Sequence, residues 1–234
     1  MHGRGVEIIT VGLEMGGAEV LRPIVEAARP EHPSLLDASH QMDALFGVTN
    51  IPQVLWIDED GMIVRPAERG SPAPQPTEDP FAKWVFEIMA RGTTHPEWYG
   101  DRVRDWAEKG PDSEWVLTPE AVIAASHPRS RAVSEAAAHF ALAQHFWCTE
   151  GFSARALHHF ERAHILQPEN ITYKRQAYSA WSFAKTHEDA ARFAQSPKPG
   201  DEDQWPFVSE FVADAKQYLG LDLSAASPRP GPST

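Results

Sequence analysis

The most restrictive stretch of this chain is FGVTNIPQVLWIDEDGMIVR, Phe46 to Arg65. Gln53 to Asp58 (QVLWID) and Met62 to Val64 (MIV) are rich in strand formers, and Glu59-Asp60-Gly61 between them is a turn signal, since glycine reaches positive φ without steric cost. The pair predicts an antiparallel hairpin. Pro52 stands just before the first strand, where its missing N–H removes no interior ladder bond. On residues alone, Ile51-Pro52 simply ends a loop ahead of a strand.

Upstream, Val6 to Leu13 (VEIITVGL) is β-branched and nearly continuous in apolar character, which suits a strand covered on both faces. Gly16-Gly17 breaks it. Val20, Leu21, Ile24 and Val25 then recur at helical spacing over Ala18 to Ala28, and Pro30 and Pro33 close the element. A short strand at SLLD and a short helix over Ser39 to Phe46, with Met42, Leu45 and Phe46 on one side, complete the segment. The predicted order is βα, βα, then the hairpin.

From Pro66 to Pro80 the sequence PAERGSPAPQPTEDP is stiff and packs poorly, so a domain boundary is expected there, with a linker at 71–80. Beyond it the pattern is helical: Phe81–Arg91, Glu97–Lys109, Pro119–Ala125, Arg129–Glu150, Ser153–Gln167, Glu169–Lys185, His187–Gln195 and Trp205–Leu219. The last residues, 224–234, hold too few apolar groups to pack and are expected to be disordered.

The arrangement of VEIITVGL, a helix, LLDASHQMDALFGV and IPQVLWIDEDGMIV, from Gly5 to about Gly70, resembles the thioredoxin-like TlpA/ResA group of thiol-disulfide oxidoreductases, the redoxins. The likeness is to the C-terminal two-thirds of that fold. It implies a cis peptide bond before Pro52, a redox dithiol beside it, and a backbone at Ile51 that pairs with an extended substrate peptide. The departure is as informative. Such proteins begin with a strand and a helix whose N-terminus carries CxxC, because the helix terminus stabilises a thiolate. That strand and helix are absent from this chain. Two expectations follow: Met1 is an internal methionine of a longer protein, whose upstream motif could include a codon read as a stop, or the redox half was lost and the C-terminal helices cover the gap. Glu14 lies near where related oxidoreductases place an acidic residue, but its register is off by one, and it reads as a solvated carboxylate at a strand end.

Ala138 to Pro168 resembles a tetratricopeptide repeat: Phe140, Ala143, Trp147, Ala156, Phe160, Ala163 and Pro168 fall at its spacings, with Gly151 between two helices. Small alanines let the helices approach while Trp147 and Phe160 fill the space. Gln144 stands where the pattern commonly has glycine. Trp181 and Ala190 repeat the positions of Trp147 and Ala156 one period later, but the later positions are lost, so the alternative is a generic αα-hairpin. The concave positions Ala138, Ala141, Leu142 and His145 hold no Lys, Arg or Asn to grip a carboxylate. Because independent solenoids need about three repeats, these helices are expected to pack on the α/β sheet or on another subunit.

Composition narrows the function classes. With Lys plus Arg at 21 against 33 for Asp plus Glu, a charge of −12 opposes nucleic acid and anionic membranes. The single cysteine, Cys148, excludes an internal disulfide and is expected to be buried in the packed seam of the repeat. No CxxC, HExxH or Cys/His cluster is present, so neither metal nor cofactor is expected. The eleven histidines read as surface groups, with His158 and His159 on different helix faces, and Lys174-Arg175 reads as a helix face. There is no apolar run long enough to span a bilayer and no signal-peptide layout, which predicts a cytoplasmic chain as written.

The reading is therefore α/β plus α: a partial thioredoxin-like unit at 1–70, a proline-rich linker at 71–80, and a helical domain at 81–223 with a tetratricopeptide-like hairpin at 137–170. By resemblance Ile51 and Pro52 lie next to a substrate; no catalytic residue is assigned. The expected function is a redoxin relative lacking its dithiol in this chain, with a protein or peptide partner or a second copy of itself. The alternative is a non-enzymatic scaffold that uses its helices.

Overall fold

The structure is a computed structural model, which describes residues 5–70, 78, 96–126, 129–185 and 205–209 of the 234. The described part is mixed α/β, with seven α-helices and two small sheets. The expected helices at Phe81–Arg91 and His187–Gln195, most of the linker and the tail lie outside it.

The first sheet is a parallel pair, β1 (Thr10–Leu13) and β2 (Ser34–Asp37), joined by α1 (Ala18–Ala28). β1 is shorter than the apolar run from Val6 predicts. Its partner begins only after Pro33, whose carbonyl accepts the Thr10 N–H at 3.0 Å, so residues before Thr10 have no strand to ladder with. The expected cover on both faces is also incomplete, since β1 is at most half-buried and Ile8 and Ile9 are exposed. Gly12 is where α1 comes closest: a Cβ there would sit 2.6 Å from Leu21 Cδ2. α1 ends at Arg29, which is left-handed at φ 44 and donates its N–H to Val25.

α2 (Gln41–Phe46) is shorter than the predicted Ser39–Phe46, because His40 at its N-cap takes φ 56, outside the helix. Its inward face also differs from the periodicity. Asp43 is buried and Leu45 is exposed, since the neighbour of α2 is a polar one.

The hairpin forms as β3 (Gln53–Ile57) and β4 (Ile63–Arg69), antiparallel, with Gly61 at φ 80 in the turn. β4 runs through Pro66 to Arg69, four residues into the proline-rich stretch in which the domain boundary was expected but short of the linker at 71–80. Two observations account for this: the ladder is bulged opposite Val54 to Ile57, and among the described residues β4's outer edge takes one backbone bond, from the Leu117 N–H to Val64. One face of the hairpin is closed by α3 (Pro96–Lys109). Trp56 stacks on Trp106 at 4.8 Å and donates Nε1–H to the Tyr99 hydroxyl at 3.1 Å. Arg65 pairs with Glu68, lies over the Trp56 ring and donates to the Trp115 carbonyl at 2.7 Å.

After a 3-10 turn (Gly110–Asp112) come α4 (Pro119–Ser126), α5 (Arg131–Glu150), α6 (Ala154–Leu166) and α7 (Ile171–Lys185). Ser130 and Ser153 cap α5 and α6 by accepting from Val133 N–H and Ala156 N–H. α5 and α6 form an αα-hairpin around buried Ala136, Phe140, Ala143, Ala156, Phe160 and Ala163, with Trp147 half-buried beside them. Trp205 to Ser209 is irregular rather than the start of a helix. Its aromatics pack on the bundle instead, Phe207 against Tyr178 at 4.9 Å and Trp205 against Trp181 at 5.0 Å.

Candidate functional site

The hairpin's leading loop and the start of α7 define one locus. The Ile51-Pro52 peptide bond is cis. Both residues are exposed, Ile51 at 47%, although an isoleucine beside a strand would ordinarily be covered. Just before them, the Thr49 carbonyl accepts the N–H groups of Ile171 at 2.9 Å and Thr172 at 3.3 Å. These are orphan donors of the first turn of α7, so the loop caps the helix. Five residues on, Gln176 Oε1 accepts the Met15 N–H at 3.2 Å and its Nε2 donates to the Leu13 carbonyl at 3.3 Å. One helix thus anchors the end of β1 and the approach to β3.

Behind this loop is a buried polar joint. The Tyr173 hydroxyl donates to Asp43, Asn170 Oδ1 accepts from Thr172 at 2.6 Å and from Tyr173 N–H at 3.1 Å, and Asp37 accepts the Met42 N–H at 2.8 Å. Burial pushes the Asp43 carboxyl above the usual carboxylate range, opposed by the Tyr173 hydrogen bond and the charge of Arg129. Burial, followed by the charge and hydrogen bond of Asp43, raises the Tyr173 phenol. His40 sits against Phe140 at 5.0 Å, is only 2% exposed, and neither ring nitrogen has a hydrogen-bond partner. Its burial lowers it to about 4 despite the charge of Asp37. Gln144, the residue that departs from the repeat pattern, donates to the Ala38 carbonyl at 3.0 Å. A glycine there could not tie α5 to the α/β unit.

Several expectations are corrected here. Cys148 is exposed on α5, because the seam faces the side of Phe140, Ala143 and Trp147, and a thiol one residue past Trp147 turns outward. His40 and His164 are buried, not surface groups. His158 and His159 both approach His139: the His139 and His159 Nδ1 atoms are 2.8 Å apart, and the His139 and His158 rings are 6.4 Å apart. Adjacent residues on α6 can flank one residue of α5. Lys174 is buried with its charge beside His164 of α6, and Arg175 lies near Glu14 of the α/β unit, so this basic pair is not a solvated helix face. Glu14 is itself half-buried and accepts the Gly16 N–H at 2.8 Å, not solvated at a free strand end.

Ile51 and Pro52 therefore share a loop held by α7, and no thiol lies near them in the described sequence. Sequence reasoning missed His40, Asp43 and Asn170. Among the described residues no group of three or more His, Cys, Asp or Glu side chains is placed to hold a metal ion, and no helix is long and apolar enough to cross a membrane. No family model, curated protein or solved structure matches the chain.

Proposed function

We propose that this chain is a thioredoxin-like, redoxin-related protein whose α/β unit holds an extended polypeptide beside Ile51 and Pro52 without supplying the redox dithiol. The observation that supports the reading is the exposed Ile51-Pro52 corner at the head of β3, held from behind by the bonds from the first turn of α7 to the Thr49 carbonyl. A backbone presented in this way can pair with a substrate strand while side chains elsewhere set its position. The chain's one cysteine is on the outer side of α5, and nothing described links it to that corner.

The test is catalysed reduction of a disulfide-linked peptide by dithiothreitol, with the wild-type chain and Cys148→Ser. Both should match the uncatalysed rate. Turnover that disappears in Cys148→Ser would make Cys148 a nucleophile and overturn the reading.

A second reading, a non-enzymatic scaffold, is favoured by one observation. The exposed positions Ala138, Ala141, Leu142, His145 and Cys148 follow one another along α5 without a Lys, Arg, Asp or Glu among them. Partner binding lost in Leu142→Glu but kept in Ile51→Glu would select it.

A further inference from the structure

Two histidines 20 residues apart in the chain meet across the α5–α6 hairpin. His139 is on α5 and His159 on α6, and each directly precedes a core phenylalanine, Phe140 and Phe160, whose rings pack edge to face at 5.9 Å. The buried cluster around those rings sets the register of the two helices, and with it the separation of the His139 and His159 Nδ1 atoms, 2.8 Å. Phe146 fixes the second ring further, stacking on His159 at 5.4 Å and 22°. Donor atoms carried on rigid helices and braced by packing are preorganised. The sequence offers no ligand spacing here, because only the hairpin unites the pair.

A neutral imidazole has one N–H. At 2.8 Å one of the facing nitrogens donates to the other, so one ring carries its proton on Nδ1 and its partner on Nε2. Moving that single proton to the outer Nε2 leaves two lone pairs converging on one point, with no change in net charge. This is the form in which histidine ligates a divalent cation. Burial, followed by the charges of His139 and His158, lowers His159, which favours its neutral form at pH 7. Arg155 lies over the Phe146 ring at 4.4 Å, but it is paired with Glu150, so its charge is met there.

The spacing selects the ion. With metal–nitrogen bonds of about 2.0 Å, nitrogens 2.8 Å apart subtend an angle of about 90° at the cation. Tetrahedral coordination would require a separation of about 3.3 Å. The pair as it stands fits two adjacent corners of a square or an octahedron, the geometry of Cu2+ and Ni2+. The His158 ring, 6.4 Å from that of His139, is not needed for this chelate.

We propose that His139 and His159 form a two-imidazole chelate for a tetragonal divalent cation of the Cu2+ or Ni2+ class, which clamps α5 to α6 and keeps water in its remaining positions. The site is open by construction, since two protein ligands leave corners free for exchange or for a further ligand.

Equilibrium dialysis of the full chain against NiCl2 at pH 7, without a competing chelator, compares wild type with His139→Asn, His159→Asn and His158→Asn. Other histidines also take up nickel, so the difference between chains is what counts. Wild type and His158→Asn should bind one ion that the other two variants hold more weakly by on the order of 10-fold or more. A variant that fails to fold is bypassed by amide spectra of the wild type, in which paramagnetic Ni2+ should broaden the His139 and His159 signals more than those of Ser130 and Leu166. Uptake by His139→Asn or by His159→Asn equal to that of wild type, an equal loss in His158→Asn, or His139 and His159 amides left sharp would each overturn the chelate.

Discussion

His40 combines three features that rarely occur together: a left-handed backbone, near-complete burial and two ring nitrogens without partners. Its neutral form is therefore the folded form. Because its folded value is about 4 against 6.5 unfolded, the unfolded chain takes up a proton first as pH falls. The stability this residue contributes is present above pH 6.5 and lost between 6.5 and 4, to a maximum of about 3 kcal/mol. His164, lowered to about 3 chiefly by burial, acts with the same sign. Asp43 acts oppositely, since its raised carboxyl takes up a proton in the folded state first and favours folding as pH falls. Urea unfolding of wild type and His40→Phe at pH 7 and pH 4.5 should show a smaller acid loss in the variant. Beside it, Tyr173→Phe removes the donor to a buried carboxylate and should cost about 1–3 kcal/mol at pH 7 by the same measurement.

Among the elements, the α5–α6 hairpin is the part most plainly written in the sequence. Its alanines and phenylalanines sit at helical spacing, Ser130 and Ser153 cap it, and all of these signals agree. Phe160→Ala should destabilise the chain by about 3–5 kcal/mol, and Ser153→Ala by about 1 kcal/mol, both measured by chemical denaturation. The hairpin at Gly61 was equally legible, because turn chemistry and strand composition are local. What could not be read depends on partners distant in the chain. β1 stops short because β2 starts at Ser34, β4 passes through Pro66 with Leu117 as its outer neighbour, and Asp43 turns inward to meet Tyr173. At the candidate site the cis corner at Ile51-Pro52 came from resemblance, whereas its anchoring through the Thr49 carbonyl to the first turn of α7 has no local signature. Cys148 was misplaced for a related reason: spacing located the seam, but one position decides which way a side chain points.

At the scale of the molecule, α7 makes three of the attachments through which the two halves meet. Gln176 holds the end of β1, Ile171 and Thr172 hold Thr49, and Tyr173 holds Asp43. The α/β unit has little core of its own, with α1 contributing no buried residue. It should therefore not unfold as an independent domain. Thermal unfolding followed by tryptophan fluorescence and by far-ultraviolet circular dichroism should give one coincident transition. Gln176→Leu removes both side-chain bonds to β1, and should speed exchange at the Met15 amide on the order of 10-fold while leaving the Trp56 amide unchanged.

The outward thiol on α5 has a practical corollary. A polypeptide with one thiol, positioned in solvent, can link to another copy only once. Aerobic storage should accordingly produce a discrete covalent dimer that reductant reverses, never a polymer ladder, and a maleimide fluorophore would attach at a single known place without any engineering.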